Sequence, residues 1–504
     1  MVQRSRLLAL VSVTALVLPL AVTGPALADP NNNSPAKLAK AVTLNGVLRH
    51  LDAFQSIADT HGDRAAGRPG YQASVNYVVS QLNAAGYSPT VQQFDFPYVE
   101  DNSRLDRLAP SPRVFARDSE FNRHGFDQPV EGAATGVIQP VDVIVPPAPV
   151  PNTSTSGCDA ADFAGFVAGR IAMLQRGTCG FTVKALNAQA AGASAVILFN
   201  EGQPGRTGLV TPIGDAAGLT IPVVFATYAV AEELIVLTPG ATVQVVVDFT
   251  EETRPAWNVF AESHDGNPNN VVMAGAHLDS VQDGPGINDN GSGSAALLET
   301  AIQMSKVKTN AKVRFAWWGA EEEGLLGSEH YVANLPQAEQ DKIALYLNFD
   351  MVGSPNHFFG IYDGDDSSGT APVPIPPGSA EIEDVFEKFY ADRGLPSEDT
   401  DFSGRSDYGP FIAVNIPAGG LFTGAEEVKT PAQAALYGGT AGIAFDPCYH
   451  QPCDDRSNLN LTALDVNSDA IAVAVITFAF DTSTVNGVRA PGKSHGRAPQ
   501  GSES

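Results

Sequence analysis

Two histidines and a set of carboxylates stand at places where a folded chain could bring them together. His277 closes the apolar run NVVMAGAH, Asp279 follows two residues later, and Asp289 lies in the glycine-rich stretch GPGINDNGSG. Glu321 and Glu322 follow VRFAWW, Asp350 follows LYLNF, and His450 sits between two cysteines in DPCYHQPCD. Imidazole nitrogen and carboxylate oxygen are donors that suit zinc. Two histidines and three carboxylates can hold a pair of ions if one carboxylate bridges them. A further carboxylate beside the pair is then free to move protons, which is the layout of a two-metal hydrolase. Singly, each residue has a plainer explanation. A strand-end histidine is often only hydrogen-bonded, Asp289 could cap the helix that follows, and AEEEG could be a solvated charge run. Their recurrence at the ends of successive apolar runs favours the joint reading.

The elements that would position these groups are legible as a rhythm. From about Thr253 the chain reads as strand NVVMAGAH, helix SGSAALLETAIQMSK, strands KVRFAWW and ALYLNFDM, and helix IEDVFEKFYADRG. Apolar runs alternating with amphipathic helices imply a parallel or mixed sheet covered on both faces. In such folds functional groups collect at the carboxyl ends of strands. Upstream, Leu44, Val47, Leu48, Leu51 and Phe54 recur at helical spacing. A second helix carries Tyr71, Val75, Val78, Val79 and Leu82, with Gly86 placed to cap it, and the strand TVQQFDF follows. The proline-rich VDVIVPPAPVPNTSTSG then breaks the rhythm and marks a boundary.

Composition bounds the setting. At 504 residues, with 43% apolar residues, the chain has room for two domains with real cores. Arg4 and Arg6, the apolar stretch Leu7 to Val22 and the small-residue site Ala26-Leu27-Ala28 read as a signal peptide over residues 1–28. No second segment reads as long and apolar enough to span a bilayer. Cleavage would leave a net charge near −28, against −26 for the whole chain, which argues against nucleic acid or anionic membrane as partners. The expected protein is secreted and extracellular. Cys158 and Cys179, and Cys448 and Cys453, form two local pairs, which in an exported protein read as disulfides. A four-thiolate zinc site is the alternative, but neither pair has C-x2-C spacing. The polar TVNGVRAPGKSHGRAPQGSES is expected to be a disordered tail over 485–504.

Two resemblances add to this reading. RIAMLQRGTCGFTVKALNAQAAGASAVILFN resembles the protease-associated (PA) domain, a small β-rich module, across roughly Glu131 to Phe249. No cluster of carboxylate and histidine lies within it, so it is expected to act as a lid or spacer without chemistry. HGDRAAGRPGY, GAHLDSVQDGPGINDNGSGSAALLE, FAWWGAEEEGLLGS, NFDMVGSPN, SGRSDYGPF and DPCYHQPCDD resemble, in order and spacing, the co-catalytic di-zinc aminopeptidases of the leucine aminopeptidase and aminopeptidase Y type. That resemblance implies a three-layer α/β/α mixed-sheet zinc peptidase domain over 29–130 and 250–484, with the PA domain inserted over 131–249. It further implies two zinc ions per chain, held by His277, Asp289, Glu322, Asp350 and His450, with Asp289 bridging. Asp279 would orient the His277 imidazole, Glu321 would be the general base acting on the metal-bridging water, and Tyr449 would donate a hydrogen bond to the oxyanion. Met351, Arg405 and Phe422 would line the pocket for the first side chain. The implied substrates are peptide or protein N-termini, with large apolar residues such as Leu preferred, and the implied enzyme is a monomer. Strained backbone, as a cis peptide bond, is expected at Asp289–Asn290. Asp465 and Asp469 match two carboxylates of a calcium site found in some members, but its N-terminal partner falls at Ala41-Val42, so calcium is doubtful. A glutaminyl-cyclase-like acyltransferase would not need both ligand sets. A carboxypeptidase would want more basic groups than Arg405, and a non-catalytic receptor of this fold would have lost ligands.

Overall fold

The computed structural model describes residues 31–126, 128–210, 214–237 and 240–488. The expected signal peptide, and the expected tail beyond residue 488, lie outside these residues. Where that tail was expected to begin, a short helix, Ser483–Asn486, is formed instead. The chain divides into two compact units, one ending at Phe96 and resuming at Arg254, the other spanning Pro97–Thr253.

The first unit is built on an eight-stranded mixed sheet. Its strand order is Thr90–Asp101, Phe249–Glu262, Ala311–Trp318, Asn267–His277, Ile343–Phe349, Ala418–Phe422, Gly360–Tyr362 and Glu398–Thr400. The four strands from Ala311–Trp318 to Ala418–Phe422 run parallel to one another. They are the near-continuous apolar runs expected of strands buried on both faces. Alternation along Ala311–Trp318 shows the two faces. Trp317 Nε1 donates to the Ser294 carbonyl of helix Gly293–Met304. Its neighbour Trp318 packs on the opposite side with Tyr331 of helix Leu326–Ala333 and Phe411 of helix Gly409–Ala413. Both indoles are fully buried.

Register does the positioning. His277 pairs with Trp318, and Gly275 pairs with Asn348. His277 is thereby level with Asp350, two residues past Asn348, while Glu321 and Glu322 follow Trp318 by three and four residues. Three strand ends that carry candidate ligands meet on one edge.

The amphipathic helices form where the periodicity places them. Leu44–His61 is capped by Thr43, whose hydroxyl accepts from Gly46 N, and Pro69–Ala85 ends on Gly86 in the left-handed region. One expectation needs correction. Helix Leu461–Phe480, with a mean hydropathy of 1.6, is long and apolar enough to cross a membrane. Because 67% of that stretch is buried inside the unit, it is read as a core helix.

The second unit carries its own eight-stranded sheet, with helices Phe181–Ala190 and Tyr228–Val236 and two apolar clusters centred on Ile171–Gln175 and Ala195–Phe199. Cys158 and Cys179 are bonded within it, and Cys448 and Cys453 are bonded in the first unit. Among the described residues, every group of three or more side chains able to hold a metal lies in the first unit.

Candidate metal centre

The two imidazoles and the carboxylates converge on the edge where the strands end. His277 Nε2 lies 3.2 Å from Asp289 Oδ1 and 3.2 Å from Asp350 Oδ1. His450 Nε2 lies 3.3 Å from the other Asp289 oxygen, Oδ2, and 3.0 Å from Glu322 Oε2. The site therefore has two halves, His277 with Asp350 and His450 with Glu322, and Asp289 turns one oxygen to each. Glu321 Oε2 stands 3.9 Å from His277 Nε2.

Electrostatics make this crowd costly without cations. Burial, together with Asp350, Asp407 and Glu322, holds the Glu321 carboxyl well above the usual carboxylate range. Burial and Asp289 push Glu322 up to about 7. Burial opposes charging of His450, but Glu322 and Asp289 outweigh it and raise the imidazole to about 11. Glu322 Oε1 is buried and has no hydrogen-bond partner. An orphaned carboxylate oxygen among like charges is a place for a cation, and the nitrogen-and-oxygen donor set fits zinc.

The residues behind the ligands fix their aim. Asp279 serves two neighbours. Its carbonyl oxygen lies 3.2 Å from His277 Nδ1, and its carboxylate oxygens accept Glu321 N and Glu322 N, each at 3.3 Å. One residue thus holds the imidazole and the Glu-Glu pair in register. Asp350 Oδ2 accepts the Ser406 hydroxyl at 2.6 Å, and Ser406 Oγ accepts Asn348 Nδ2 at 2.9 Å. Asn288 N and Asp289 N both donate to Asp454, at 2.8 and 3.0 Å, and Asn288 Nδ2 donates to Asp446 at 2.6 Å. The cysteine loop that carries His450 is therefore tied from both its ends to the Asn288–Asp289 segment. The Asp289–Asn290 peptide bond is cis, as expected. Gly286 takes φ +58, and a Cβ there would stand 2.4 Å from the Asp289 carbonyl, so the turn requires glycine.

Arg64 was not singled out from the sequence, and it is fully buried. Its guanidinium donates to the carbonyls of Pro285 at 2.9 Å, Leu278 at 2.5 Å and Gly286 at 2.5 Å. It thus stitches the end of the His277 strand to the turn before Asp289. Its only signal was its place in the HGDRAAGRPGY motif.

The site opens on a cavity of about 620 Å³ lined by Asp289, Glu321, Glu322, Asp350, Tyr449 and His450, and also by Met351, Arg405 and Phe422. Tyr449 stacks on His450 with ring centroids 3.8 Å apart. Burial beside Asp289 and Glu322 raises its phenol far above the ordinary value, so it stays a donor. Asp469, matched to a calcium carboxylate, accepts Arg393 Nη2 at 2.7 Å. An arginine thus answers the Asp469 charge.

Residues 258–475 match the model of peptidase family M28, and residues 142–234 match the PA domain. The chain is 48% identical over 461 residues to an aminopeptidase from Pseudomonas aeruginosa, covering 90% of this chain and 84% of that one. It is 38% identical over 473 residues to leucine aminopeptidase 2 from Trichophyton rubrum, covering 92% and 91%. The fold is that of BSAP, a zinc aminopeptidase from Bacillus subtilis, with a TM-score of 0.57, 23% identity, and coverage of 88% and 97%.

Proposed function

The chain belongs to peptidase family M28 with an inserted PA domain, and from that premise we propose that it is a secreted di-zinc aminopeptidase removing large apolar residues such as Leu from peptide N-termini. That it is a metallo-aminopeptidase follows from its relatives. The finer reading is carried by one observation: the Asp289 carboxylate faces both imidazoles, His277 on Oδ1 and His450 on Oδ2.

In this reading His277 and Asp350 would hold one zinc ion and Glu322 and His450 the other, with Asp289 offering one carboxylate oxygen to each pair. When bound, zinc polarises the scissile carbonyl and makes water acidic enough to lose a proton near neutral pH. Glu321 is held beside the ligands by Asp279, and it takes that proton and returns it to the leaving amine nitrogen. The Tyr449 hydroxyl donates to the carbonyl oxygen as negative charge develops there. Met351 and Phe422 offer apolar walls to the first side chain, and Arg405 lies at the same cavity. The signal peptide read at residues 1–28 and two disulfides support an oxidising, extracellular setting. The PA domain, placed at 131–249, is proposed as a lid or spacer. Both ligand sets are present, which speaks against a receptor that has lost its chemistry.

The test is hydrolysis of leucine p-nitroanilide and its N-acetylated form, with and without chelator. Turnover of the free-amine substrate alone, abolished by chelator and restored by zinc, is expected. Cleavage of the acetylated substrate, or indifference to chelator, would overturn the reading.

A further inference from the structure

The disulfide of the second unit, Cys158–Cys179, has a buried cation for a neighbour. Helix Phe181–Ala190 carries Lys184 and Asn187 three residues apart, on one face. Asn187 Nδ2 donates to the carbonyls of Gly157 at 3.0 Å and Cys158 at 2.9 Å, which fixes the backbone at that cysteine. Lys184 Nζ donates to the Ser156 carbonyl and lies 3.6 Å from Cys158 Sγ. The lysine is fully buried. Among the described residues no carboxylate forms an ion pair with it, and Asp162, Glu201 and Asp142 are the acidic groups that bear on its charge.

An ammonium has three protons to donate, and a disulfide sulfur accepts weakly. One carbonyl therefore leaves Lys184 short of acceptors, whereas a thiolate at Cys158 is both an acceptor and a counter-charge. A neighbouring lysine is among the surroundings that favour thiolate over thiol. The Thr178 hydroxyl stands 3.4 Å from the same sulfur. The other half of the bond is the approachable one. Cys179 is half-buried between exposed Thr178 and Gly180, while Cys158 follows the buried Ser156 and Gly157. Access thus lies at one sulfur and the cation at the other. That arrangement polarises the bond for attack at Cys179, because a thiol of lower proton affinity departs faster in exchange.

We propose that Cys158–Cys179 is a site of thiol–disulfide exchange that takes a small external thiol at Cys179. The thiol first gives its proton to solvent. Its sulfur attacks Cys179 Sγ, a new S–S bond forms there as the bond to Cys158 breaks, and the electron pair stays on Cys158 Sγ. The Lys184 ammonium holds the resulting thiolate. The product is a mixed disulfide on Cys179 and a free Cys158, with no reactant consumed beyond the thiol. This chemistry is independent of the metal centre and of the aminopeptidase reading, and it falls in a unit expected to carry none.

The experiment exposes the full chain to glutathione at pH 7, quenches with acid, traps free thiols with N-ethylmaleimide and maps which cysteine carries which label. A cation that lowers a thiol by about one to two pH units, with exchange rates changing by about 0.4–0.5 log unit for each, is worth about 3- to 10-fold. Glutathione on Cys179 with maleimide on Cys158 should exceed the reverse pattern by that factor. Burial lowers Lys184 to about 8, so in the unaltered chain the preference should fade between pH 7 and pH 9.5. Lys184→Met should lose it already at pH 7, and the pH series needs no variant to fold. No exchange at this disulfide, or glutathione found equally on both cysteines or mainly on Cys158 at pH 7, would overturn the proposal. A preference that persists at pH 9.5 or in Lys184→Met would also overturn it, by tracing the selectivity to access alone.

Discussion

Replacing Arg64 should disable the metal centre without touching a ligand. The guanidinium makes three hydrogen bonds to main-chain carbonyls of Leu278, Pro285 and Gly286, in a pocket with no access to water. A hydrogen bond from a charged donor is worth about 1.5–3 kcal/mol net, so the three together represent about 4.5–9 kcal/mol. That is comparable with the whole stability of an ordinary domain, about 5–15 kcal/mol. Burial lowers the Arg64 guanidinium to about 10, and Asp279, Asp454, Asp289 and Glu322 oppose that shift, so it is cationic at neutral pH. In Arg64→Lys an ammonium cannot span three carbonyls as the planar fork does. With one bond kept, the cost is about 3–6 kcal/mol. At roughly 2 °C per kcal/mol for a chain of this size, the melting temperature should fall by about 6–12 °C. Arg64→Met, which keeps much of the volume and no donor, should fall further. Calorimetry of the metal-free protein reads the stability, and zinc titration reads the site, where affinity should drop because the turn presenting Asp289 has lost its tie to the His277 strand. A melting temperature within 2 °C of the unaltered protein in Arg64→Met, with unchanged zinc affinity, would refute the reasoning.

Ser406→Ala removes the hydroxyl that aims Asp350, and partners of this kind tune zinc affinity by about 10- to 100-fold; equilibrium dialysis should show a loss of that size, with Ser406→Thr restoring part of it. Glu383 gives a pH prediction away from the metal. Burial, with Asp365, Asp399 and Asp363 nearby, raises its carboxyl to about 8, against 4.5 when unfolded. Between those values the folded state binds more protons than the unfolded state, so this group's contribution is complete below pH 4.5 and is lost as pH rises through 8. Glu383→Gln keeps an acceptor for Gly364 N and Asp365 N and should raise the melting temperature at pH 8.5 while leaving it nearly unchanged at pH 4. A stabilisation independent of pH would contradict the assignment.

What the sequence made legible follows from where chemistry sits in a parallel sheet. His277, Asp350 and the Glu321–Glu322 pair each end or follow an apolar run. The register that sets Gly275 against Asn348 brings those run ends to one edge. Asp289 was legible because glycines crowd its turn. The supporting residues were not. Arg64 touches carbonyls more than 200 positions away, and a fully buried arginine runs against the usual residence of its type. Asp446 and Asp454 flank the cysteine loop in sequence, and only folding shows them holding Asn288 and Asp289. Ser406 sat in a quoted motif, but nothing local tells which carboxylate its hydroxyl will meet. The apolar helix Leu461–Phe480 is long and apolar enough to span, and only the fold shows that it is mostly buried.

The central claim is that one carboxylate moves protons beside a pair of ions held by three other carboxylates and two imidazoles. Glu321→Gln tests it most directly, with zinc content and kcat on leucine p-nitroanilide measured on the same sample. The account predicts two zinc ions per chain, as in the unaltered enzyme, with kcat lowered by about 10²- to 10⁴-fold. A variant that turns over at the unaltered rate with both ions bound would contradict it.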